Sequence, residues 1–189
     1  MQQRRAWRAS AIAALLLWCP ADALARQAGG TRNRAASVRG LSALKQAQAW
    51  LDAGDLNRAR SQIEAVLARD AASAEAHFLM GLLCERLKDF TAAATAYATA
   101  IGYAPRMAQA RDRLGFVLGQ QGKTAEALRQ FEEAIHVDPT LFDAQYHLGA
   151  TRWWTRDFAG ALPALEAAVR LRPEHAEARY YLGLTLQAS

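Results

Sequence analysis

Apolar residues in the middle of the chain follow a helical period that breaks once and then resumes. Between residues 74 and 87 they recur at helical spacing, at Phe78, Leu79, Leu82, Leu83 and Leu87. The polar pair Lys88–Asp89 interrupts this face. A second stripe then runs over roughly residues 91–104, at Ala93, Tyr97, Ala100 and Ile101, and Pro105 ends it. The pattern predicts a helix, a short turn and a second helix.

The same pattern recurs every 34 residues. Three residue types keep this step: glycine at Gly81, Gly115, Gly149 and Gly183, alanine at Ala59, Ala93, Ala127 and Ala161, and proline at Pro105, Pro139 and Pro173. A fixed period of this length is typical of stacked repeats rather than of one globular core. It predicts an all-α protein with units at residues 40–73, 74–107, 108–141 and 142–175 and a half unit at 176–189.

The small residues in phase predict close packing between helices. Glycine inside a helix is about 1 kcal/mol less favourable than alanine, so its recurrence indicates that the backbones of a unit's two helices touch there. The large residues in phase are expected to fill the space between units, and a further set of alanines leaves room for the following helix. These large residues are Tyr97, Phe131 and Leu165, and these alanines are Ala100, Ala134 and Ala168.

These residues resemble the tetratricopeptide repeat (TPR) family. Its pattern has a small residue at unit position 8, alanine at 20, a large residue at 24, alanine at 27 and proline at 32, and the three complete units from residue 74 match it throughout. The resemblance implies a right-handed α-solenoid of antiparallel helix pairs, the TPR superhelix. The chain departs from the family at position 4, where the tryptophan is replaced by His77, Arg111, Gln145 and Arg179.

The first 25 residues have the layout of a secretory signal peptide. Arg4, Arg5 and Arg8 precede an apolar run at residues 9–19, and Ala23 and Ala25 occupy the positions that a signal peptidase reads. We expect cleavage after Ala25 and a bacterial protein exported to the periplasm or beyond the cell, by the Sec or the twin-arginine route. An uncleaved anchor and a misassigned start codon are the alternatives. The apolar run is too short to cross a bilayer, which takes about 20 residues, so no stable membrane span is expected after cleavage.

The net charge of +5 belongs to the start of the chain. Residues 26–39 hold four arginines and no acidic residue, and they are predicted to form a disordered basic linker. The repeats hold 16 basic and 17 acidic residues and are therefore close to neutral. A nucleic-acid partner, which would require a basic face, is not expected.

No catalytic or metal-binding motif occurs in the repeats. There is no nucleophile elbow, phosphate-binding glycine loop or Cys/His metal spacing. The four histidines lie far apart in the sequence, and Cys84 belongs to an apolar helix face, where a small core residue is the simplest interpretation. We therefore expect no enzyme, no cofactor and no metal.

The TPR resemblance implies that the first helix of each unit lines a concave groove. The groove residues that follow from the family's positions 5, 9 and 12 are Phe78, Leu82, Asp112, Phe116, Tyr146, Trp153 and Tyr180. Aromatic residues dominate the hot spots of protein interfaces, so the expected partner is a protein or peptide with an apolar or amphipathic segment. The lysine and asparagine of the family's chaperone-tail clamp are absent from these positions, and so is the asparagine ladder of its sugar-transferring relatives.

The last helix is apolar almost all round, with Tyr180, Tyr181, Leu182, Leu184 and Leu186. Terminal repeats usually carry a polar outer face. Three interpretations stay open: the chain is a fragment of a longer protein, the helix is covered by a partner or by self-association, or it is an adequate cap. The leading hypothesis is an exported, non-enzymatic TPR scaffold. The alternative is the N-terminal TPR region of a larger exported enzyme or envelope-assembly protein.

Overall fold

A computed structural model describes residues 40–188, and the predicted signal peptide and linker lie outside the described residues. Residues 40–52 are helical and form α1. Eight further helices follow: α2 (Leu56–Leu67), α3 (Ala74–Arg86), α4 (Phe90–Tyr103), α5 (Ala108–Gln120), α6 (Thr124–Val137), α7 (Phe142–Trp154), α8 (Phe158–Leu171) and α9 (Ala176–Ala188). No strand occurs between residues 40 and 188. The predicted alternation of helix and turn is confirmed, with element ends within about one residue of the expected ones.

The helices stack in chain order as antiparallel pairs. The most extensive contacts lie within units, between α3 and α4, α5 and α6, and α7 and α8, and each second helix then packs on the first helix of the next unit. A core cluster shared by α1, α2 and α3 begins the stack, and one that joins Phe142, Ala168 and Ala178 ends it. The predicted all-α solenoid is therefore the observed fold. None of the helices within residues 40–188 is long and apolar enough to cross a membrane.

Aspartates begin most of the second helices. The side chains of Asp55, Asp89 and Asp157 accept hydrogen bonds from backbone amides three residues later, at Arg58, Ala92 and Gly160. An N-cap of this kind satisfies one of the four amides that a helix start leaves unpaired. The same unit position in the third unit holds Lys123, which makes no such bond.

The glycines of the repeat lie under a large side chain of the second helix and, as expected, close to its backbone. A Cβ atom added to Gly115 would lie 3.1 Å from the carbonyl oxygen of Ala127, and one added to Gly149 would lie 3.2 Å from the backbone nitrogen of Leu165. A Cβ atom added to Gly115 would lie 2.6 Å from Cε1 of Phe131, and one added to Gly149 would lie 2.5 Å from Cγ of Leu165. The ring of Tyr97 is nearest at Gly81. The large residue at position 24 therefore fills its own unit, and, as expected, Tyr97 and Phe131 also reach the next unit, through Val117 and Leu148.

The first helices form the inner side of the stack. α5 contacts α7, and α7 contacts α9, while no comparable contact joins two second helices in the described part of the chain. The second helices α4 and α6 instead leave an open cleft of about 490 Å³ between them, lined by Ala94, Ala98, Glu126 and Glu133 among others. A row of helices that touch on one side and separate on the other is curved, with the first helices on its concave face.

Candidate peptide-binding groove

The aromatic residues predicted for the groove lie on consecutive first helices. Phe78 and Leu82 are on α3, Phe116 is on α5, Tyr146 and Trp153 are on α7, and Tyr180 is on α9. All except Tyr180 are half-buried, and Tyr180 is exposed. Each half-buried ring keeps part of its surface in the core and leaves the rest exposed to solvent.

The two groove residues on α3 contact two core clusters. Phe78 and Leu82 pack against the cluster of the first unit and also against the cluster around Tyr97. The ring centroids of Phe78 and Tyr97 are 5.7 Å apart. These two residues therefore combine packing between neighbouring units with a partly exposed surface.

Asp112 does not offer its carboxylate to a partner, contrary to the prediction that this position belongs to the groove surface. Its residue surface is only 2% exposed. One carboxylate oxygen, Oδ1, lies 2.7 Å from Nδ1 of His147 on the next unit. An aspartate buried this deeply needs a hydrogen-bonding partner, and His147 is that partner. Asp112 therefore contributes to the groove by holding the ring of His147 in its orientation.

His147 is the groove residue that the sequence did not reveal. Its ring centroid lies 5.6 Å from that of Phe116, 5.6 Å from that of Tyr146 and 5.5 Å from that of Phe131. The imidazole is thus surrounded by rings from α5, α6 and α7. The available signal was the spacing of 35 residues from Asp112, which places the two residues on neighbouring first helices at adjacent unit positions.

Aromatic contacts continue from Tyr146 towards the end of the chain. Its ring stacks on Phe142, with centroids 6.0 Å apart, and lies 5.1 Å from His175 and 6.2 Å from Tyr181. Burial raises the pKa of the Tyr146 hydroxyl, and the neighbouring Tyr181 and Glu177 raise it further. The hydroxyl therefore stays protonated near neutral pH and can donate a hydrogen bond.

Trp153 and Trp154 differ in burial, because adjacent helix positions point in different directions: Trp153 is half-buried and Trp154 is exposed. Trp154 is 70% exposed, and its Nε1 donates to the hydroxyl of Tyr181 at 3.2 Å. Trp153 meets the rings of both Trp154 and Tyr181 edge-on, at 5.2 Å in each case. Its own Nε1 is buried with no hydrogen-bond partner among the described residues. This end of the groove therefore combines exposed aromatic surface with an unused donor.

Within residues 40–188 no three His, Cys, Asp or Glu residues lie together in a way that could hold a metal ion. Cys84 is half-buried, and burial together with the charge of Asp89 raises the pKa of its thiol. Nucleophilic cysteines need a lowered pKa, so Cys84 has the properties of a packing residue.

Solved structures with the same fold were found for most of the chain. PilF of Pseudomonas aeruginosa superposes with a TM-score of 0.75 at 19% identity, over 81% of this chain and 70% of PilF. The first TPR domain of RPAP3 (Spaghetti), bound to the HSP90 peptide SRMEEVD, matches with a TM-score of 0.60 at 19% identity, over 63% of this chain and 97% of that domain. At such identities the likeness shows the fold.

A third structure is an enzyme. A variant of Thermobaculum terrenum O-GlcNAc transferase matches with a TM-score of 0.66 at 21% identity, over 71% of this chain but only 26% of the transferase. A search of curated protein sequences gave no significant match.

A family model decides the classification. The model of the tetratricopeptide repeat matches residues 44–110 and 151–187, which together make up more than half of the chain. The match covers units in both halves of the array, including the helix pair α3–α4 and helices α8 and α9 up to residue 187. The chain belongs to the tetratricopeptide repeat family.

Proposed function

We propose that this protein is an exported scaffold that holds an apolar or amphipathic peptide segment of another protein in its concave groove. The observation that carries the proposal is the band of partly exposed rings on consecutive first helices, from Phe78 on α3 to Tyr180 on α9. Aromatic side chains give large contact areas at low entropic cost and dominate binding hot spots. The described surface offers this chemistry and no built catalytic centre.

The RPAP3 domain supports the mode of binding, because a TPR domain of the same fold is seen there with a bound peptide. The peptide in that complex ends in two glutamates, a valine and an aspartate. The groove of this protein is different in character, since its exposed groups are mainly rings and its central charged residue, Asp112, is occupied by His147. We infer a partner segment whose apolar side chains pack against these rings.

Export is the second part of the proposal and rests on residues 1–25 alone. The basic start, the short apolar run and the small residues at positions 23 and 25 support cleavage by a signal peptidase. The placement in a bacterial periplasm or outside the cell follows from that cleavage. N-terminal sequencing of the secreted or periplasmic protein should begin at Arg26.

The groove can be tested by site-specific photocrosslinking in the native envelope. Photoreactive benzoylphenylalanine in place of Phe116 should capture partner proteins, and the same residue in place of Ala98, in the outer cleft, is the matched control. Trp154→Ala with Tyr180→Ala should reduce the capture at least several-fold, because both rings are exposed and their loss leaves the core intact. Equal capture from both crosslinker positions, or by the double variant, would show that the groove is not the binding surface.

The transferase match favours a second candidate, in which these repeats form the N-terminal region of a larger exported enzyme or envelope-assembly protein. In that structure the matched repeats account for 26% of the enzyme. The 189 residues of this chain correspond to 20.7 kDa. Immunoblotting of the native protein separates the candidates, since a band far above this mass supports the larger protein and a band at or just below it supports the scaffold.

A further inference from the structure

A cluster of rings surrounds His147 where the third and fourth units meet. The centroid of the imidazole lies 5.6 Å from that of Phe116, 5.6 Å from that of Tyr146 and 5.5 Å from that of Phe131. Phe131 is only 2% exposed and belongs to the core, whereas Phe116 and Tyr146 are half-buried. The imidazole therefore rests on a buried ring and has a partly exposed ring on each of the two first helices, α5 and α7.

Asp112 determines which nitrogen of His147 carries the proton. A carboxylate oxygen can only accept a hydrogen bond, so the contact of 2.7 Å between Asp112 Oδ1 and His147 Nδ1 requires a hydrogen on Nδ1. In the neutral imidazole the other nitrogen, Nε2, then has an unshared lone pair. The ring therefore presents Nε2 as a hydrogen-bond acceptor of fixed orientation.

Nε2 of His147 is accessible to a ligand. The hydrogen bond of this ring within residues 40–188 is the one from Nδ1 to Asp112, and Nε2 makes none there. Among the described side chains the unpaired nitrogen that is closed off from solvent is Nε1 of Trp153, so Nε2 of His147 keeps contact with solvent. The His147 side chain is 20% exposed. A hydrogen-bond donor of a bound peptide can therefore reach it.

The surroundings of Nε2 favour a positive charge. Asp112 is 2% exposed, and its partner among the described ion pairs is His147, which adds no charge in its neutral form. The adjacent basic residue, Arg113, is already paired with Glu85. The faces of aromatic rings carry negative electrostatic potential and attract cations. An acceptor nitrogen, a buried carboxylate behind it and two partly exposed rings thus form an electronegative site.

We propose that this site, formed by Asp112, Phe116, Tyr146 and His147, binds an arginine side chain of the peptide held in the groove, an inference that rests on the proposed function. One guanidinium N–H donates to Nε2 of His147, and the buried carboxylate attracts the positive charge. Arginine fits better than lysine, because its planar and weakly hydrated guanidinium packs on an aromatic face while it donates hydrogen bonds. The apolar residues on either side of the arginine pack against the neighbouring rings of the groove.

The test is isothermal titration of the full chain with three synthetic peptides that differ in one residue. The first probe is acetyl-Ala-Leu-Arg-Leu-Ala-amide, and the other two have citrulline or glutamate in place of the arginine. Citrulline keeps the shape and the N–H groups of arginine without the charge, so the comparison isolates the effect of the charge. The arginine peptide should bind the wild type about fivefold or more tightly than the citrulline peptide, and the glutamate peptide should bind least.

Asp112→Asn is the decisive variant, because the residue is buried too deeply to touch the peptide. Asparagine still accepts a hydrogen bond from Nδ1 of His147, so the variant removes the charge and keeps the ring in place. The preference for arginine over citrulline should fall at least threefold, with the citrulline affinity unchanged. Glu126→Gln removes a negative charge from an exposed position on α6 and is the matched control, with the preference retained. An unchanged preference in Asp112→Asn would overturn the proposal.

Two further measurements keep the test valid if Asp112→Asn does not fold. Phe116→Leu keeps an apolar side chain between the units but removes a ring face, and it should lower the preference for arginine at least twofold. In wild-type protein with ¹⁵N-labelled histidines, the Nε2 resonance of His147 should shift on addition of the arginine peptide. A resonance that stays in place while the peptide binds would put the arginine elsewhere and overturn the proposal.

Three results with the wild type would also overturn it: no saturable binding of the arginine peptide, equal affinity for the arginine and citrulline peptides, or tighter binding of the glutamate peptide. The last result would mean that the imidazole carries a second proton and presents Nε2 as a donor. Photocrosslinking from position 116 tests the groove separately. Partner capture there, combined with any of these three results, would leave the groove in place and remove only the arginine requirement.

Discussion

At the scale of single residues, the packing of each unit depends on the absence of one methyl group. Gly115 and Gly149 lie against Phe131 and Leu165 so closely that a Cβ atom would overlap them. At Gly149 the backbone nitrogen of Leu165 would also lie only 3.2 Å away. A side chain can rotate away from a new methyl group, but a backbone nitrogen in the middle of a helix moves only with the helix.

Gly149→Ala should therefore destabilise the protein although alanine is the better helix former. Overpacking costs about 1–3 kcal/mol, and the gain in helix propensity offsets about 1 kcal/mol of that. We expect a net loss of up to about 2 kcal/mol in the free energy of unfolding, measured by urea denaturation. Gly102→Ala is the control, because its Cβ meets open space and the substitution should leave stability unchanged or raise it. A stabilised Gly149→Ala variant would mean that Leu165 repacks freely.

At the scale of the helices, the four complete units share the same turn between their two helices, and all but the third unit share the same N-cap. The residue at position 15 has a positive φ in every complete unit, at Gly54, Lys88, Gly122 and Arg156. The residue after it caps the second helix when it is aspartate. In the third unit that residue is Lys123, so α6 starts without a side-chain cap and with a positive charge at the positive end of its dipole.

Lys123→Asp should stabilise α6 by about 1 kcal/mol, since N-caps contribute about 0.5–2 kcal/mol. Glu126 lies three residues later and completes the arrangement of a capping box. Lys123→Ala is the matched control, because it removes the charge without adding a cap. Thermal unfolding of the two variants separates these contributions, and equal melting temperatures would show that the aspartate does not cap the helix.

The helices could be predicted from the sequence because their signals are local and repeated. Pro105 and the pair Lys88–Asp89 mark the ends of α4 and α3 to within about one residue. The seating of Tyr97 on Gly81 could not be predicted, because a period gives the spacing of residues but not which of them touch. The bond between Asp112 and His147 was missed for a related reason, since it depends on the distance between two units.

The groove was predictable as a set of positions but not as a set of exposed atoms. The family's pattern places Asp112 and Phe116 on the same helix face, and the structure buries the first and leaves the second half-exposed. Burial of Asp112 follows from its partner His147, whose unit position is not one of those used to select groove residues. Side chains that pair across units therefore need the three-dimensional stack before they can be assigned.

At the scale of the whole molecule, apolar packing alone does not join the units, because a polar bond crosses each boundary between them. In chain order these bonds join Arg86 Nη1 to the Leu51 carbonyl at 3.4 Å, Arg113 to Glu85 at 3.3 Å, His147 to Asp112 at 2.7 Å, and Trp154 to the Tyr181 hydroxyl at 3.2 Å. Repeat arrays owe their stability to the units and to the interfaces between neighbours. Bonds of this kind fix how each unit sits on the next.

A hydrogen bond within the second unit, beside its ion pair to the third, gives the molecule a pH dependence that can be measured. Tyr97 is fully buried, and its hydroxyl donates to Glu85 Oε2 at 2.8 Å, while the other carboxylate oxygen of Glu85 pairs with Arg113. Burial, and then the negative charge of Glu85, raise the pKa of Tyr97 well above its usual value of 10.0. The folded protein therefore keeps this proton at a pH where the unfolded chain loses it.

The free energy of unfolding should accordingly fall above pH 10, by about 1.4 kcal/mol per pH unit from this residue. Tyr97→Phe keeps the ring over Gly81 but removes the ionisable group. At pH 7 the variant should be less stable by about 1.5–3 kcal/mol, because a hydrogen bond to a charged group is lost. Above pH 10 this difference should shrink. There the unfolded wild-type chain is stabilised by ionisation of Tyr97, whereas the variant has no hydroxyl to ionise.

Cys84 and Tyr146 also have raised pKa values, but they are present in both proteins and cancel in the comparison. Urea denaturation of both proteins between pH 7 and pH 11 measures the difference, and parallel curves over that range would show that Tyr97 ionises as readily in the folded protein as in the unfolded chain.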